Sequence, residues 1–167
     1  MKYVAFLRAI NVGGHVVKMD VLKKLFEQMG FRNVETFIAS GNVIFDARTA
    51  SEKKIEDALK KALGYEVRTF LRTPAQLQTI AATNDDGGTL YVGFMAASAS
   101  EEAKKKLQAL SNDVDDVRAE GTELYWLCRA ERYSDATITN VQVEKALGQA
   151  ATLRNISTVR KLAGKYS

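Results

Sequence analysis

Val34-Glu-Thr-Phe-Ile-Ala-Ser-Gly-Asn-Val-Ile-Phe-Asp46 holds two short β-prone runs, Val34 to Ile38 and Val43 to Asp46, around Ala39-Ser-Gly-Asn42. A connection that short, carrying glycine and asparagine, reads as a hairpin turn. A helix is expected on each side of the hairpin. Before it, Leu22, Leu25, Phe26 and Met29 fall at i, i+3, i+4 and i+7 and stop at Gly30. After it, Thr49-Ala-Ser-Glu52 has capping-box spacing ahead of Ile55, Ala58, Leu59, Ala62 and Leu63, with Gly64 as the stop. Outside these helices lie two more apolar runs, Tyr3 to Arg8 and Glu66 to Arg72, both of strand length. The first half therefore reads βαββαβ. Thr73-Pro74 then opens a short helix to about Ala82, with threonine as N-cap and proline at the first helical position.

The second half repeats the order. Strands are expected over Thr89 to Met95, Val114 to Ala119, Glu123 to Arg129 and Ala151 to Asn155. Helices are expected after the cap Ser98-Ala-Ser-Glu101 and after Thr139-Asn-Val-Gln142, and a last one over Ser157 to Ala163. Two successive βαββαβ units are the pattern of an α+β chain made of two tandem ferredoxin-like subdomains, with antiparallel or mixed sheets and an extra C-terminal helix. Asn84-Asp-Asp-Gly-Gly88 is a turn cluster, so the subdomains are placed at 1–83 and 89–167, with 84–88 as linker within one compact unit.

Composition narrows the function classes. The chain has 167 residues, 46% of them hydrophobic and 26% charged, the balance of a globular protein with a full core. No apolar run approaches the roughly 20 residues of a transmembrane helix, and the N-terminal segment reads as a strand, not as a signal peptide. Cys128 is the single cysteine, which excludes an internal disulfide and suits a reducing, cytoplasmic setting. Net charge is +4, carried unevenly: residues 1–83 hold 13 basic and 8 acidic side chains, and residues 84–167 hold 11 and 12. Beyond Glu144 every charged residue is basic, among them Arg154, Arg160, Lys161 and Lys165. That asymmetry suits either a solvated helix surface or an anion-facing patch.

Three junctions combine small, polar and basic residues. In Arg8-Ala-Ile-Asn-Val-Gly-Gly14, the Gly13-Gly14 loop between strand and helix can turn backbone N–H groups toward one point, with Arg8, Asn11 and Lys18 adding donors and charge. The same glycines serve an ordinary turn, and the loop matches neither the Walker A nor the dinucleotide fingerprint, so no cofactor is expected. Ser40 and Asn42 offer a hydroxyl and an amide, and are also what a tight turn demands. In Arg154-Asn-Ile-Ser-Thr158, Asn155 fits an N-cap. Arg154 sits where a helix dipole opposes a cation, and so calls for a carboxylate or a bound anion. His15 and Cys128 are the only histidine and cysteine and cannot build a metal site, so none is expected. The adjacent acids Asp85-Asp86 and Asp115-Asp116 read as solvated turns. The ribonucleoprotein signature of RNA-binding sheets is absent.

Arg8-Ala-Ile-Asn-Val-Gly-Gly14, Ile38-Ala-Ser-Gly-Asn-Val-Ile-Phe45, Thr139-Asn140 with Glu144-Lys-Ala-Leu-Gly148, and Arg154-Asn155 with Thr158-Val159 and Lys161-Leu162 together resemble the bacterial domain of unknown function 1697 family over nearly the whole chain. The resemblance implies two tandem ferredoxin-like subdomains and brings no biochemical activity with it. The chain departs from the family pattern at Ala9, where glycine is usual, at Ala136-Thr-Ile138 in place of Ser-Lys-Leu, and at Ile156-Ser157 in place of Trp-Asn. The expected function is binding of a small phosphate- or carboxylate-bearing ligand in an inter-subdomain cleft. Arg8, Asn11, Gly13, Gly14, Ser40, Asn42, Arg154, Asn155 and Lys161 would line that cleft. Two alternatives stand beside it: a nucleic-acid-binding module using the basic C-terminal segment, and a structural protein forming a homodimer. Neither catalysis nor membrane association is written in the residues.

Overall fold

A computed structural model describes residues 1–8, 17–37, 41–130 and 136–166. The chain divides into two compact units, Met1–Ile80 with Lys161–Ser167, and Ala81–Arg160. The division falls a few residues before the expected linker, and the last seven residues belong with the first unit. The stretch expected as linker is an ordered turn. The Asp86 amide donates to Asn84 Oδ1 (2.7 Å), and the Arg160 guanidinium grips the Asp85 carboxylate at 3.0 and 3.3 Å.

The first unit runs β1 (Lys2–Leu7), α1 (Met19–Gln28), β2 (Arg32–Thr36), β3 (Asn42–Asp46), α2 (Glu52–Leu63), β4 (Thr69–Arg72) and α3 (Pro74–Ala81). Its strands form a sheet in the order β2-β3-β1-β4, with neighbours antiparallel throughout. The second unit repeats this with β5 (Thr89–Phe94), α4 (Glu101–Leu110), β6 (Asp115–Glu120), β7 (Glu123–Cys128), α5 (Asn140–Leu147), β8 (Thr152–Asn155) and the start of α6 (Ile156–Lys165), whose residues from Lys161 on count with the first unit. Its order is β6-β7-β5-β8, again antiparallel. The fold is thus α+β with two four-stranded antiparallel sheets. Among the described residues no helix is long and apolar enough to cross a membrane.

Strand alternation sorts the core. Ala5 and Leu7 of β1 and Val43 and Phe45 of β3 face the helical layer, where Leu22 and Phe26 of α1 and Ile55 and Leu59 of α2 meet them. Between them Val4, Phe6, Ile44 and Phe70 are fully buried too. A strand dry on both faces reads as a nearly continuous apolar run, as Tyr3–Leu7 does. In the second unit Leu124, Trp126 and Cys128 of β7 pack with Leu107, Val143 and Leu147.

Helix ends follow the sequence in two places and depart from it in two. Thr73 and Gln76 bond reciprocally ahead of α3, and Thr139 with Gln142 forms a full capping box on α5. The cap of α2 is Ser51, not Thr49, its hydroxyl accepting from the Lys54 amide. Ser100, not Ser98, caps α4 through the Ala103 amide. The reason at α2 lies in tertiary structure. Glu52 accepts the Leu71 amide (2.8 Å) and Glu56 accepts the Thr69 amide (2.9 Å), so both acids close the open edge of β4. One helical turn apart, they share the face that meets the strand. In the second unit Glu144 accepts the Ala151 amide (3.2 Å) just before β8.

The expectation for Asp115 is overturned. It is fully buried, and its carboxylate accepts the Trp126 indole N–H (2.8 Å) and both the amide and the hydroxyl of Thr137 (each 2.6 Å). Burial raises its pKa, and the hydrogen bonds from Thr137 and Trp126 outweigh this and hold it below the ordinary 3.8. Ionised Asp115 therefore contributes stability above that ordinary value, and the contribution fades as pH falls through the lower folded-state value. Asp115→Ala strands these donors in the core and should cost about 3 kcal/mol. We expect a clear drop in thermal midpoint at pH 7, measured by circular dichroism, and a smaller gap from wild type below pH 3.

Candidate functional site

The residues expected to bind ligand fall at strand ends. β1 finishes at Leu7, whose amide donates to the Gly41 carbonyl (2.8 Å), and the Arg8 amide donates to the Arg68 carbonyl (2.8 Å). Phe6 is in register with Asn42. Arg8, at the finish of β1, and Asn42, at the start of β3, therefore come to the same end of one sheet. Gly41 has φ of +125° there, a backbone conformation that favours glycine. Asn42 is buried. Its side-chain N–H donates to the Phe37 carbonyl (3.1 Å), and its own carbonyl accepts the Phe37 amide (3.2 Å). These two bonds make Asn42 the clasp of the 37–42 connection. Asn11, Gly13, Gly14 and Ser40 lie outside the described residues.

Arg154 and Asn155 belong to the second unit. Arg154 is in register with Val92 on β8. Its Nη1 donates to the Thr152 hydroxyl (2.8 Å) and the Leu153 carbonyl (2.9 Å), which folds the guanidinium back along its own strand. Burial pulls its pKa down from the ordinary arginine range to about 10, so the group stays cationic at neutral pH while much of its hydration is lost. Asn155 Oδ1 accepts the Ser157 amide (2.9 Å), an N-cap on α6. Lys161 is an exposed residue of α6. Asn140, of the Thr139-Asn140 motif, donates to Glu144 (3.1 Å), and its side-chain oxygen is buried without a hydrogen-bond partner.

Sequence reasoning missed Arg72. This arginine of β4 is 5% exposed, and its Nη1 donates to the Leu71 carbonyl (2.7 Å), as Arg154 Nη1 does to Leu153. A signal was present in Thr69-Phe-Leu-Arg72 and Thr152-Leu-Arg154, which place a leucine–arginine pair on the fourth strand of each unit. Much of the basic C-terminal segment is committed within its own unit. Besides Asp85, Arg160 donates to the carbonyls of Ala81 (3.2 Å) and Thr83 (2.9 Å). Lys165 lies 4.7 Å from the centroid of the Phe37 ring. Tyr166 donates its hydroxyl to Glu35 (2.6 Å), and burial together with that carboxylate raises its pKa above the ordinary 10.0. Among the described residues no group of three or more His, Cys, Asp or Glu side chains could hold a metal ion.

The sequence pattern of one family, described as protein of unknown function DUF1697, matches residues 1–125. The chain belongs to this family. The motifs at 139–162 that resemble it lie beyond the matched stretch. The solved structure of the conserved bacterial protein SP0830 from Streptococcus pneumoniae superposes with a TM-score of 0.74 at 17% identity, over 99% of this chain and 97% of that one. Identity that low carries the fold alone. No curated protein gives a significant match. The fold shared with that structure covers both units, past residue 125 where the family pattern stops.

Asn42→Ala separates two roles for the first-unit junction. Losing the Phe37 contact should cost about 1–3 kcal/mol, read as a lower midpoint in chemical denaturation. A turn role leaves any response to anions intact, whereas a ligand role abolishes it.

Proposed function

We propose that this DUF1697 protein binds a small anion bearing phosphate or carboxylate, with Arg154 as its contact in the second unit and, taken by itself, the strand end of Arg8 and Asn42 as the candidate contact in the first. The observation that carries the reading is the Arg154 guanidinium, held against its own strand and stripped of much of its water. A cation in that state gains most from a charged acceptor, and arginine offers a planar fork that matches carboxylate and phosphate. Arg8 supplies a cation at a strand end of the first unit, where its own amide is held by the Arg68 carbonyl. Asn155, occupied as an N-cap, positions the start of α6 in this reading. The commitments of Arg160 and Lys165 within the fold weigh against a nucleic-acid surface built on the C-terminal segment.

We infer further that each unit is a ferredoxin-like βαββαβ fold. The order β2-β3-β1-β4, matched by β6-β7-β5-β8, supports this, because it sets the first and third strands side by side at the centre of each sheet. The single, buried Cys128 suits a reducing cytoplasm.

A thermal-shift series with inorganic phosphate, pyrophosphate, citrate and succinate tests the binding. An anion at 100 times its dissociation constant should add about 2.7 kcal/mol to stability. Arg154→Ala should remove the gain that the second unit provides, Arg154→Lys should retain part of it, and Arg8→Ala reads out the first-unit strand end in the same series. If no anion shifts the wild type, or if Arg154→Ala responds as the wild type does, the reading fails.

A further inference from the structure

The first unit carries a second concave surface at the other end of its sheet. A groove of about 590 Å³ is lined by Met1, Met29, Phe31, Arg32, Asp46 and Arg48, among others. It adjoins a second hollow of about 350 Å³ that shares Met29, Phe31 and Thr49 and reaches Lys54 and Ile55. Lys2 and Arg32 both stand opposite Asp46 in the sheet, whereas Arg8 follows the far end of β1. At about 3.3 Å per residue the two ends are roughly 20 Å apart. The groove is therefore separate from the anion site proposed above.

Its lining mixes apolar and cationic residues. Phe31 lies stacked on Phe45, ring centroids 4.2 Å apart, and lines both hollows beside Met29. Met1 is one of the few large exposed apolar residues described. Arg32 is placed by an irregularity in β2. The register shifts between Arg32 and Glu35, Asn33 takes φ of +50°, and the Asn33 side chain donates to Asp46 (2.8 Å). Asp46, the acid of the lining, is also paired with Lys2 (3.1 Å). Among the described residues, Arg32 and Arg48 make no side-chain hydrogen bond or ion pair. Two other cations of the unit do pair with carboxylates, Lys60 with Glu66 and Arg68 with Glu56.

We propose that this groove binds a free amphipathic anion, an acyl or aryl chain ending in a carboxylate or phosphate. The chain lies over Phe31 and Met29, and the head group meets Arg32 and Arg48. The volume is that of small-molecule sites, which are mostly apolar with a few placed polar groups. Two arginines beside an engaged acid leave the lining with net positive charge. A neutral apolar ligand would waste both, and a bare phosphate would leave the apolar residues wet.

The probe is 1-anilinonaphthalene-8-sulfonate, titrated by fluorescence into the full chain and displaced by octanoate. We expect saturable 1:1 binding. The double substitution Arg32→Ala with Arg48→Ala should weaken it about tenfold or more, as the loss of one charge-assisted contact implies, with the thermal midpoint unchanged. Arg8→Ala should bind the dye as the wild type does, even if it abolishes the response to phosphate, which separates this site from the other. Octanoate should displace the dye at least tenfold better than the uncharged octanamide. Unsaturable binding, a double variant equal to wild type, or equal displacement by octanamide would overturn the proposal. So would stronger displacement by a glutamate-rich peptide than by octanoate, which would make the occupant an acidic protein segment.

Discussion

From Val4 to Leu7 β1 is dry on both faces, and that constraint governs the rest of the first unit. A stretch that meets no water must pair its amides and carbonyls, and there β1 lies between β3 on one side and β4 on the other. Polar chemistry is pushed to the strand ends and to the outer strands. Arg8 and the Asn42 clasp lie at one end of the sheet, and Arg32, Asp46 and Arg48 lie at the other. The outward amides of β4 are taken by Glu52 and Glu56, so two helix residues that composition marks as solvated surface are hydrogen-bonding members of the sheet.

The second unit answers the same constraint differently. Its buried acid, Asp115, needs no counter-cation, because Thr137 and Trp126 supply three N–H and O–H donors between them. A carboxylate so provided ties the segment after β7 to the first residue of β6. Arg154 is the mirror problem, a cation bonded to a hydroxyl and a carbonyl of its own strand. The one group is met by donors at fixed positions, and the other keeps its charge in a place where burial has removed much of its water.

How much of this was legible in the sequence depended on range. Local periodicity located the helices and strands, since Leu22, Leu25, Phe26 and Met29 face one way whatever they pack against. Caps were legible at Thr73 and Thr139, where the glutamine three residues on bonds back to the cap amide. Thr49 misled because the box assumes that Glu52 turns back to its own helix end, whereas a strand 19 residues on claims it. Asp115 was opaque for the same reason, its donors lying 11 and 22 residues away. Of the candidate site, the sequence named Arg8, Asn42 and Arg154 and missed Arg72. It gave no hint that Arg32 and Arg48 share a groove, because that follows from the irregular pairing of β2 with β3.

The membership of residues 161–167 in the first unit has a consequence for synthesis. Polypeptides leave the ribosome from the amino end, and the second unit, 81–160, is contiguous, so all of it emerges before that closing segment. The first unit cannot seat Tyr166 against Glu35 until the carboxyl-terminal helix is made. The domain begun first is thus completed last, and a nascent chain arrested near residue 160 would hold one whole unit and one still missing its final turn.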